Sequence, residues 1–182
     1  MQFIETNIKE VKLIKPAVFK DSRGFFLETW HEKHFRDAGL DLRFVQDNHS
    51  QSVKATLRGL HYQINRPQGK LVRVIRGEIY DVAVDIRKSS PTFGAWVGTG
   101  LSAEDKNMLW IPEGFAHGFY VLSEVAEVCY KCTEFYAPGS ERSILWNDPD
   151  LNIAWPLPAN TTPLLSEKDG KGSLLKDAEL SG

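Results

Sequence analysis

Two residues whose side chains could carry out proton chemistry, His61 and Lys70, lie nine positions apart. Their flanks, 57–63 and 68–72, are predicted to be strands, and strand side chains alternate between two faces, so His61 shares a face with Gln63. An imidazole base beside an ammonium on a neighbouring strand can take a proton from a carbon next to a carbonyl. For this pair alone, the alternative is a core histidine with a satisfied hydrogen bond and a surface lysine.

A second pattern, P-x-G-x-x-H ending at His117, resembles the second sequence motif of the cupins, which are small jelly-roll barrels. In that motif the proline and glycine shape a turn, and the histidine points into the mouth of the barrel. The first motif of metal-dependent cupins supplies H-x-H and a later Glu, whereas the matching place here has His61, then Gln63, then Lys70. A neutral amide replaces imidazole poorly on a transition metal, and a nearby ammonium repels a cation. The two patterns therefore predict a cupin-type barrel without a metal.

The 182 residues of the chain, 42% of them hydrophobic and 11% aromatic, are predicted to form a single domain, 1–182. From residue 57 to residue 136 one short strand pattern follows another, with glycines at the turns. The predicted fold is therefore mainly β: a single-domain jelly-roll barrel of the cupin type with a few short helices. The net charge of -2 gives no overall attraction to nucleic acid or to an anionic membrane, and no apolar run reaches membrane-spanning length. We therefore expect a cytoplasmic protein with neither partner.

Local patterns predict smaller features outside this run of strands. Residues 8–20 are expected to form two strands interrupted by a proline, and 28–38 a helix that stops at a glycine. The segment 44–50 is expected to be extended, which places Gln46 and Asn48 on one face.

Eight segments, taken in order, resemble the dTDP-4-dehydrorhamnose 3,5-epimerase family over nearly the whole chain. They are 22–28, 44–50, 57–63, 68–73, 77–85, 110–118, 130–136 and 165–169. Several are weak individually, but together they form a strong signal, with no departure at a position expected to be functional. The resemblance implies a dimeric, cofactor-free jelly roll that acts on dTDP-4-dehydro-6-deoxy-D-glucose. The family inverts this sugar at C3 and C5, the carbons that flank the C4 ketone.

Four catalytic roles follow from the resemblance. His61 would be the base that removes the proton beside the ketone, and Asp169 would pair with it, fix its tautomer and stabilise the imidazolium. Lys70 would place a positive charge on the enolate oxygen, and Tyr130 would return a proton from the opposite face, as inversion requires. Asp169 also stands three residues after Ser166, the spacing of a helix capping box, so a capping role is the alternative.

The resemblance also implies a set of substrate-binding side chains. The diphosphate is assigned to Arg23 and Arg58, since a planar guanidinium matches phosphate oxygens. Strict alternation would place Arg58 on the strand face opposite His61, unless a bulge at Gly59 brings both to one site. The nucleoside and sugar contacts are assigned to Phe25, Glu28, Gln46, Asp47, Asn48, Gln63, Lys70, His117, Tyr136, Glu141 and Lys168.

Several alternatives stay open at this point. A 3- or 5-monoepimerase acting on a related dTDP-4-keto-6-deoxy sugar would share the base and differ in the acid and the pocket. A metal-dependent cupin oxygenase would need a bound metal, which Gln63 and Lys70 disfavour, and a non-catalytic sugar-nucleotide binding module would need no paired base. His117 could contact the sugar, support His61 or merely satisfy a core hydrogen bond, with Asp81 as its candidate orienting partner. The expected homodimer could exchange its N-terminal strands, about residues 1–20.

Overall fold

The computed structural model describes residues 1–159 and 161–180, and within them thirteen β-strands dominate the regular structure. One α-helix, α1 (Glu32–Asp37), and three 3₁₀ helices, Pro138–Ser140, Asp169–Lys171 and Leu175–Asp177, accompany them. None of the helices in this part of the chain has the length and apolar character to span a membrane. The strands are β1 (Gln2–Glu5), β2 (Lys12–Lys15), β3 (Val18–Asp21), β4 (Gly24–Leu27), β5 (Gln46–Val53), β6 (Leu57–Gln63), β7 (Lys70–Arg76), β8 (Glu78–Asp85), β9 (Trp96–Ser102), β10 (Met108–Ile111), β11 (Phe115–Val121), β12 (Val125–Cys132) and β13 (Glu141–Ser143).

Two antiparallel sheets enclose the core. One has the strand order β1-β2-β10-β7-β12-β5, and the other has the order β13-β6-β11-β8-β9. The largest apolar cluster combines residues of both sheets, among them Val72 and Leu109 from the first and Ile79 and Phe119 from the second. Burying each such side chain contributes about 1.5–3 kcal/mol, so the inward faces hold the sheets together. The predicted mainly β fold of the cupin jelly-roll type is confirmed.

The helix α1 begins four residues later than predicted, at Glu32. His31, which precedes it, has extended backbone angles (φ -146°, ψ 107°). The non-helical residues before the helix let Trp30 pack against Phe35, with 4.3 Å between the ring centroids. The predicted stop is confirmed, because Gly39 just after the helix has a φ of +81°, a conformation that favours glycine.

The strands β3 and β4 form a hairpin that joins neither large sheet. Pro16 separates this hairpin from β2, as predicted, and the turn of the hairpin contains Arg23. Its phenylalanines Phe19, Phe25 and Phe26 are exposed over 63%, 57% and 66% of their surfaces. Several large apolar side chains exposed on one small hairpin mark a contact surface.

Candidate active site

A cavity of about 350 Å³ lies between the two sheets. Its walls combine an imidazole base, an ammonium, a phenol, a guanidinium and polar amides, a mixture suited to a charged and hydroxylated ligand. Nine of the predicted catalytic and substrate-binding side chains line it: Gln46, Asn48, Arg58, His61, Lys70, His117, Tyr130, Tyr136 and Glu141.

His61 and Asp169 form a hydrogen-bonded pair at this cavity, with 2.5 Å between Nε2 and Oδ1. Asp169 is buried and also accepts hydrogen bonds from the Ser166 hydroxyl (2.6 Å) and, at 3.3 Å, from the backbone N–H of Gly59. Burial raises the pKa of Asp169, but the hydrogen bonds from His61 and Ser166 outweigh it and lower the value to about 2. Because a carboxylate only accepts, Nε2 carries the hydrogen, and Nδ1 of the neutral ring is left as the base.

One half of the capping-box pattern, the bond to the Ser166 hydroxyl, is present together with this pair. The backbone N–H of Asp169 donates to the Ser166 hydroxyl at 3.1 Å, as the three-residue spacing of a capping box predicts. The same hydroxyl donates to the second carboxylate oxygen, so the 3₁₀ turn at 169–171 holds the carboxylate rigidly toward His61. The turn thus positions the acid of the pair.

A bulge in β6 brings Arg58 and His61 to the same cavity, which is one of the two outcomes that the sequence left open. His61 lies opposite His117 on β11, whereas Arg58 lies opposite Phe119, so three steps along β6 match two along β11. Gly59 takes a φ of +122°, and a Cβ there would lie 2.5 Å from the Gly118 Cα. Only glycine fits this close approach of two strands.

Lys70 lies inside the barrel, so the surface-lysine alternative is wrong. The side chain projects from β7 into the cavity and is only 9% exposed. Its ammonium makes no hydrogen bond or ion pair to any residue in the described part of the chain. Burial lowers the pKa of Lys70, while Cys132 and the carboxylates of Asp81 and Glu141 oppose that effect. Its donors are therefore available to an oxygen in the cavity.

Tyr130 enters the cavity from β12 in the six-stranded sheet, whereas His61 enters it from β6 in the five-stranded sheet. Among residues 1–159 and 161–180, the Tyr130 hydroxyl has no hydrogen-bond partner. Burial raises the pKa of Tyr130, with Cys132 adding to the effect and Arg58 opposing it. The phenol is therefore protonated at neutral pH and can donate.

His117 occupies the position next to His61, across the β11–β6 pairing. It is buried, and its Nε2 lies 2.8 Å from Oδ1 of Asp81, the predicted orienting partner. Burial lowers the pKa of His117, Asp81 opposes this, and the charges of Lys70 and His61 add to it. The neutral ring therefore donates from Nε2 and keeps Nδ1 as an acceptor.

Polar side chains at the mouth of the cavity form a connected network. The hydroxyl of Tyr136 donates to Glu141 at 2.8 Å, and Lys168 pairs with the same carboxylate. Gln46 accepts from the backbone N–H of Tyr136 (2.9 Å) and donates to Asn48 at 2.9 Å. The network joins the strand β5 to the segment that carries Asp169, so five predicted substrate-binding residues meet at one opening.

Ser50, Ser52 and Gln68 belong to this site, although no prediction named them. Ser50 and Gln68 line the cavity, and Ser52 accepts a hydrogen bond from Nε of Arg58 at 2.9 Å. Ser50 follows Asn48 by two positions on β5, so the period-two pattern contained its signal. Ser52 follows Ser50 by two further positions, so the same pattern places it on this face, and its hydrogen bond holds the guanidinium in place.

Five predicted substrate-binding residues lie elsewhere in this chain or face away from the cavity. Asp47 is one of them, because it alternates with Gln46 and Asn48 and pairs on the outer face with Lys131 (2.9 Å). The other four are Gln63 and three residues on or next to the exposed hairpin, Arg23, Phe25 and Glu28. Lys168 does not line the cavity either, because it lies behind the mouth.

The side chain of Gln63 does not line the cavity and forms hydrogen bonds with the backbone of neighbouring loops. Its amide nitrogen donates to the backbone oxygens of Arg66 (2.6 Å) and Phe135 (3.3 Å), and its oxygen accepts from the N–H of Ala137 at 2.8 Å. The side chain thereby fastens two loops beside the site. In residues 1–159 and 161–180, no three His, Cys, Asp or Glu side chains form a group able to hold a metal ion.

Known proteins are similar to this chain over nearly its whole length. The sequence model of the dTDP-4-dehydrorhamnose 3,5-epimerase family matches residues 5–177. A dTDP-4-dehydrorhamnose 3,5-epimerase from Pseudomonas aeruginosa is 58% identical over 98% of both chains. One from Neisseria gonorrhoeae is 56% identical over all of this chain, which spans only 55% of that longer protein. The crystal structure of a Legionella pneumophila dTDP-6-deoxy-D-glucose-3,5-epimerase in complex with dTDP-4-keto-L-rhamnose is 53% identical, with a TM-score of 0.94 over 98% of this chain and 94% of that one. The chain therefore belongs to the dTDP-4-dehydrorhamnose 3,5-epimerase family.

Proposed function

We propose that the protein is a dTDP-4-dehydrorhamnose 3,5-epimerase, an isomerase of dTDP-L-rhamnose synthesis. It converts dTDP-4-dehydro-6-deoxy-D-glucose into dTDP-4-dehydro-L-rhamnose by inverting C3 and C5. The observation that carries the proposal is the entry of His61 and Tyr130 into one cavity from opposite sheets, with Lys70 buried in the same cavity. A base, an acid and a cation in this arrangement serve deprotonation on one face of a ketone and reprotonation on the other.

The first step is removal of the proton at C3 or C5 by Nδ1 of His61. The C–H bond is a weak acid. The C4 carbonyl makes removal of its proton feasible, because the negative charge of the carbanion is delocalised onto the carbonyl oxygen. Asp169 holds Nε2–H at 2.5 Å and stabilises the imidazolium that forms. A positioned base of this kind contributes roughly 10²–10⁴ in rate.

Lys70 stabilises the enolate that this step creates. Its ammonium is buried and unpaired in the described part of the chain, so its donors need not leave a protein partner when the oxygen becomes negative. A charge prepared in a site shielded from water acts more strongly than the same charge in solvent.

Tyr130 completes the inversion by donating its proton from the other side of the ring. Its raised pKa favours the protonated form that this role needs. The proton that Tyr130 gives is replaced from solvent, and His61 returns its own proton to solvent. The cycle consumes no other reactant and repeats at the second carbon.

The nucleotide part of the substrate meets the mouth of the cavity. Arg58, oriented by Ser52, is suited to the diphosphate, and Tyr136 offers an exposed ring for the thymine. Glu141 and Lys168 fix Tyr136 from behind.

A homodimer would account for the predicted residues that lie far from this cavity. Arg23, Phe25 and Glu28 lie on or next to the exposed β3–β4 hairpin, which joins neither sheet of its own chain. We infer that residues 1–182 fold as one domain and that the N-terminal strands, about 1–20, carry this hairpin to the partner's cavity. There the arginine would join the diphosphate site, in an enzyme working in the cytoplasm.

Incubation with the 4-keto sugar nucleotide in heavy water tests the function. A 3,5-epimerase introduces deuterium at both C3 and C5 with no added metal or nicotinamide, and a monoepimerase introduces it at one of them. A binding module retains the nucleotide and exchanges neither hydrogen. Chelator treatment separates a metal-dependent oxygenase, whose activity it would remove, from the epimerase.

A further inference from the structure

Asp81 is a buried carboxylate that no step above uses. It lies on β8 with 0% exposure, and only one of its oxygens is hydrogen-bonded, to Nε2 of His117 at 2.8 Å. The other oxygen, Oδ2, is buried and has no hydrogen-bond partner among the residues the structure describes. A buried carboxylate oxygen without a partner is costly unless a charge compensates it.

The ammonium of Lys70 is the candidate for this compensating charge. Lys70 is itself without a hydrogen bond in the described residues, and Asp81 is one of the negative groups whose field acts on it. Each of the two buried groups therefore has the other as its electrostatic complement, at a separation too long for an ion pair within 4 Å.

Cys132 and Glu141 also oppose the lowering of the Lys70 pKa, but neither is an unpaired carboxylate. Burial raises the pKa of the Cys132 thiol on β12, which favours the neutral form. Glu141 on β13 is already bound by Lys168 and Tyr136, and Lys168 itself repels the ammonium. His61, next on β6, is paired with its own carboxylate.

The contact with His117 has a second consequence for the cavity. An ionised Asp81 accepts only, so His117 must donate from Nε2, and its Nδ1 becomes a hydrogen-bond acceptor. A sugar hydroxyl is a suitable donor to this atom. Without the carboxylate, either tautomer could form, and the ring could offer a hydrogen in place of a lone pair.

We propose that Asp81 is a positioning residue for the epimerisation: it fixes the tautomer of His117 and supplies the buried negative charge that keeps Lys70 an ammonium. The proposal rests on the proposed function. In this proposal the two buried carboxylates have different roles. Asp169 orients the base His61, whereas Asp81 orients His117 toward the sugar and supports the charge of Lys70 at the enolate.

The test follows the charge of Lys70 by NMR in protein labelled at the lysine side chains, with Lys70→Met identifying the signal. In Asp81→Asn we expect the pKa of Lys70 to fall by about one unit. The high-pH limb of kcat/KM should move down in pH by the same amount. Asp85→Asn is the matched control, because Asp85 is equally buried on β8 but is bound by Arg87, Ser90 and Thr92 away from the cavity. It should leave both values unchanged.

An unchanged Lys70 pKa in Asp81→Asn, or a loss of kcat/KM that is equal at every pH, would overturn the proposal in favour of a purely structural role. If the variant does not fold, ¹⁵N shifts of His117 in the wild type decide. A neutral ring with hydrogen on Nε2 supports the proposal, and hydrogen on Nδ1 contradicts it. Both NMR readouts are independent of turnover, so a wild type without deuterium exchange would refute the proposed function alone.

Discussion

His61 and Tyr130 reach one cavity from opposite sheets, the first from β6 and the second from β12. A single sheet could not present a base and an acid to both faces of a sugar ring, whereas two facing sheets can. The barrel architecture is therefore part of the proposed chemistry: the separation of the sheets, set by the apolar core beneath the cavity, would determine the gap available to the ring.

Tyr130→Phe should separate proton removal from proton return. His61 is intact in this variant, so we expect deuterium exchange from heavy water to continue while formation of the inverted product falls by roughly 10²–10⁴. NMR of the sugar reads both quantities in one sample. Tyr80→Phe is the control, because Tyr80 is half-buried on the other side of the five-stranded sheet, against Trp155. Full epimerisation by Tyr130→Phe would refute Tyr130 as the acid.

Asp169→Asn should lower both activity and stability, the latter with a defined pH dependence. The pKa of Asp169 is about 2 in the folded protein, against an ordinary 3.8. A lowered pKa stabilises the fold above pH 3.8, and this contribution disappears as the pH falls toward 2. The difference amounts to roughly 2–3 kcal/mol at neutral pH.

Urea unfolding of Asp169→Asn and of the wild type at pH 7, 4 and 3 measures this contribution. The gap between the two free energies of unfolding should be largest at pH 7 and shrink below about pH 4. Asp150→Asn, at an exposed carboxylate, is the control and should give no gap. A gap that stays constant with pH would mean that packing, not charge, explains the loss.

The sequence predicted the parts of the site that depend on local geometry. The shared face of Gln46 and Asn48 follows from strand alternation, whereas the bulge at Gly59 was one of two possibilities that the glycine left open. The same alternation turns the side chain of Asp47 away from the cavity, toward Lys131. Alternation also places Ser52 on this face, but its hydrogen bond with Arg58 depends on a contact between β5 and β6, which a single sequence does not reveal.

Arg58→Lys should weaken the binding of dTDP by about tenfold or more, because a charge-assisted hydrogen bond contributes roughly 1.5–3 kcal/mol and a lysine cannot present two parallel donors. Calorimetry with dTDP alone measures the change without turnover. Arg76→Lys is the control, since Arg76 lies on the exposed part of β7 and pairs with Glu127. Equal losses in the two variants would place the diphosphate elsewhere.

The hairpin carrying Arg23 permits a test of whether each cavity needs two chains. If Arg23 serves the partner's cavity, His61→Ala and Arg23→Ala are both defective as homodimers, but a mixed dimer contains one site with an intact His61 and an intact arginine from the other chain. Refolding equal amounts together gives mixed dimers as half of the molecules, so activity should recover to about a quarter of the wild-type value. Refolding each variant separately is the control. No recovery in mixtures shown to contain mixed dimers would mean that Arg23 acts within its own chain, and full activity of Arg23→Ala refolded alone would mean that it has no role.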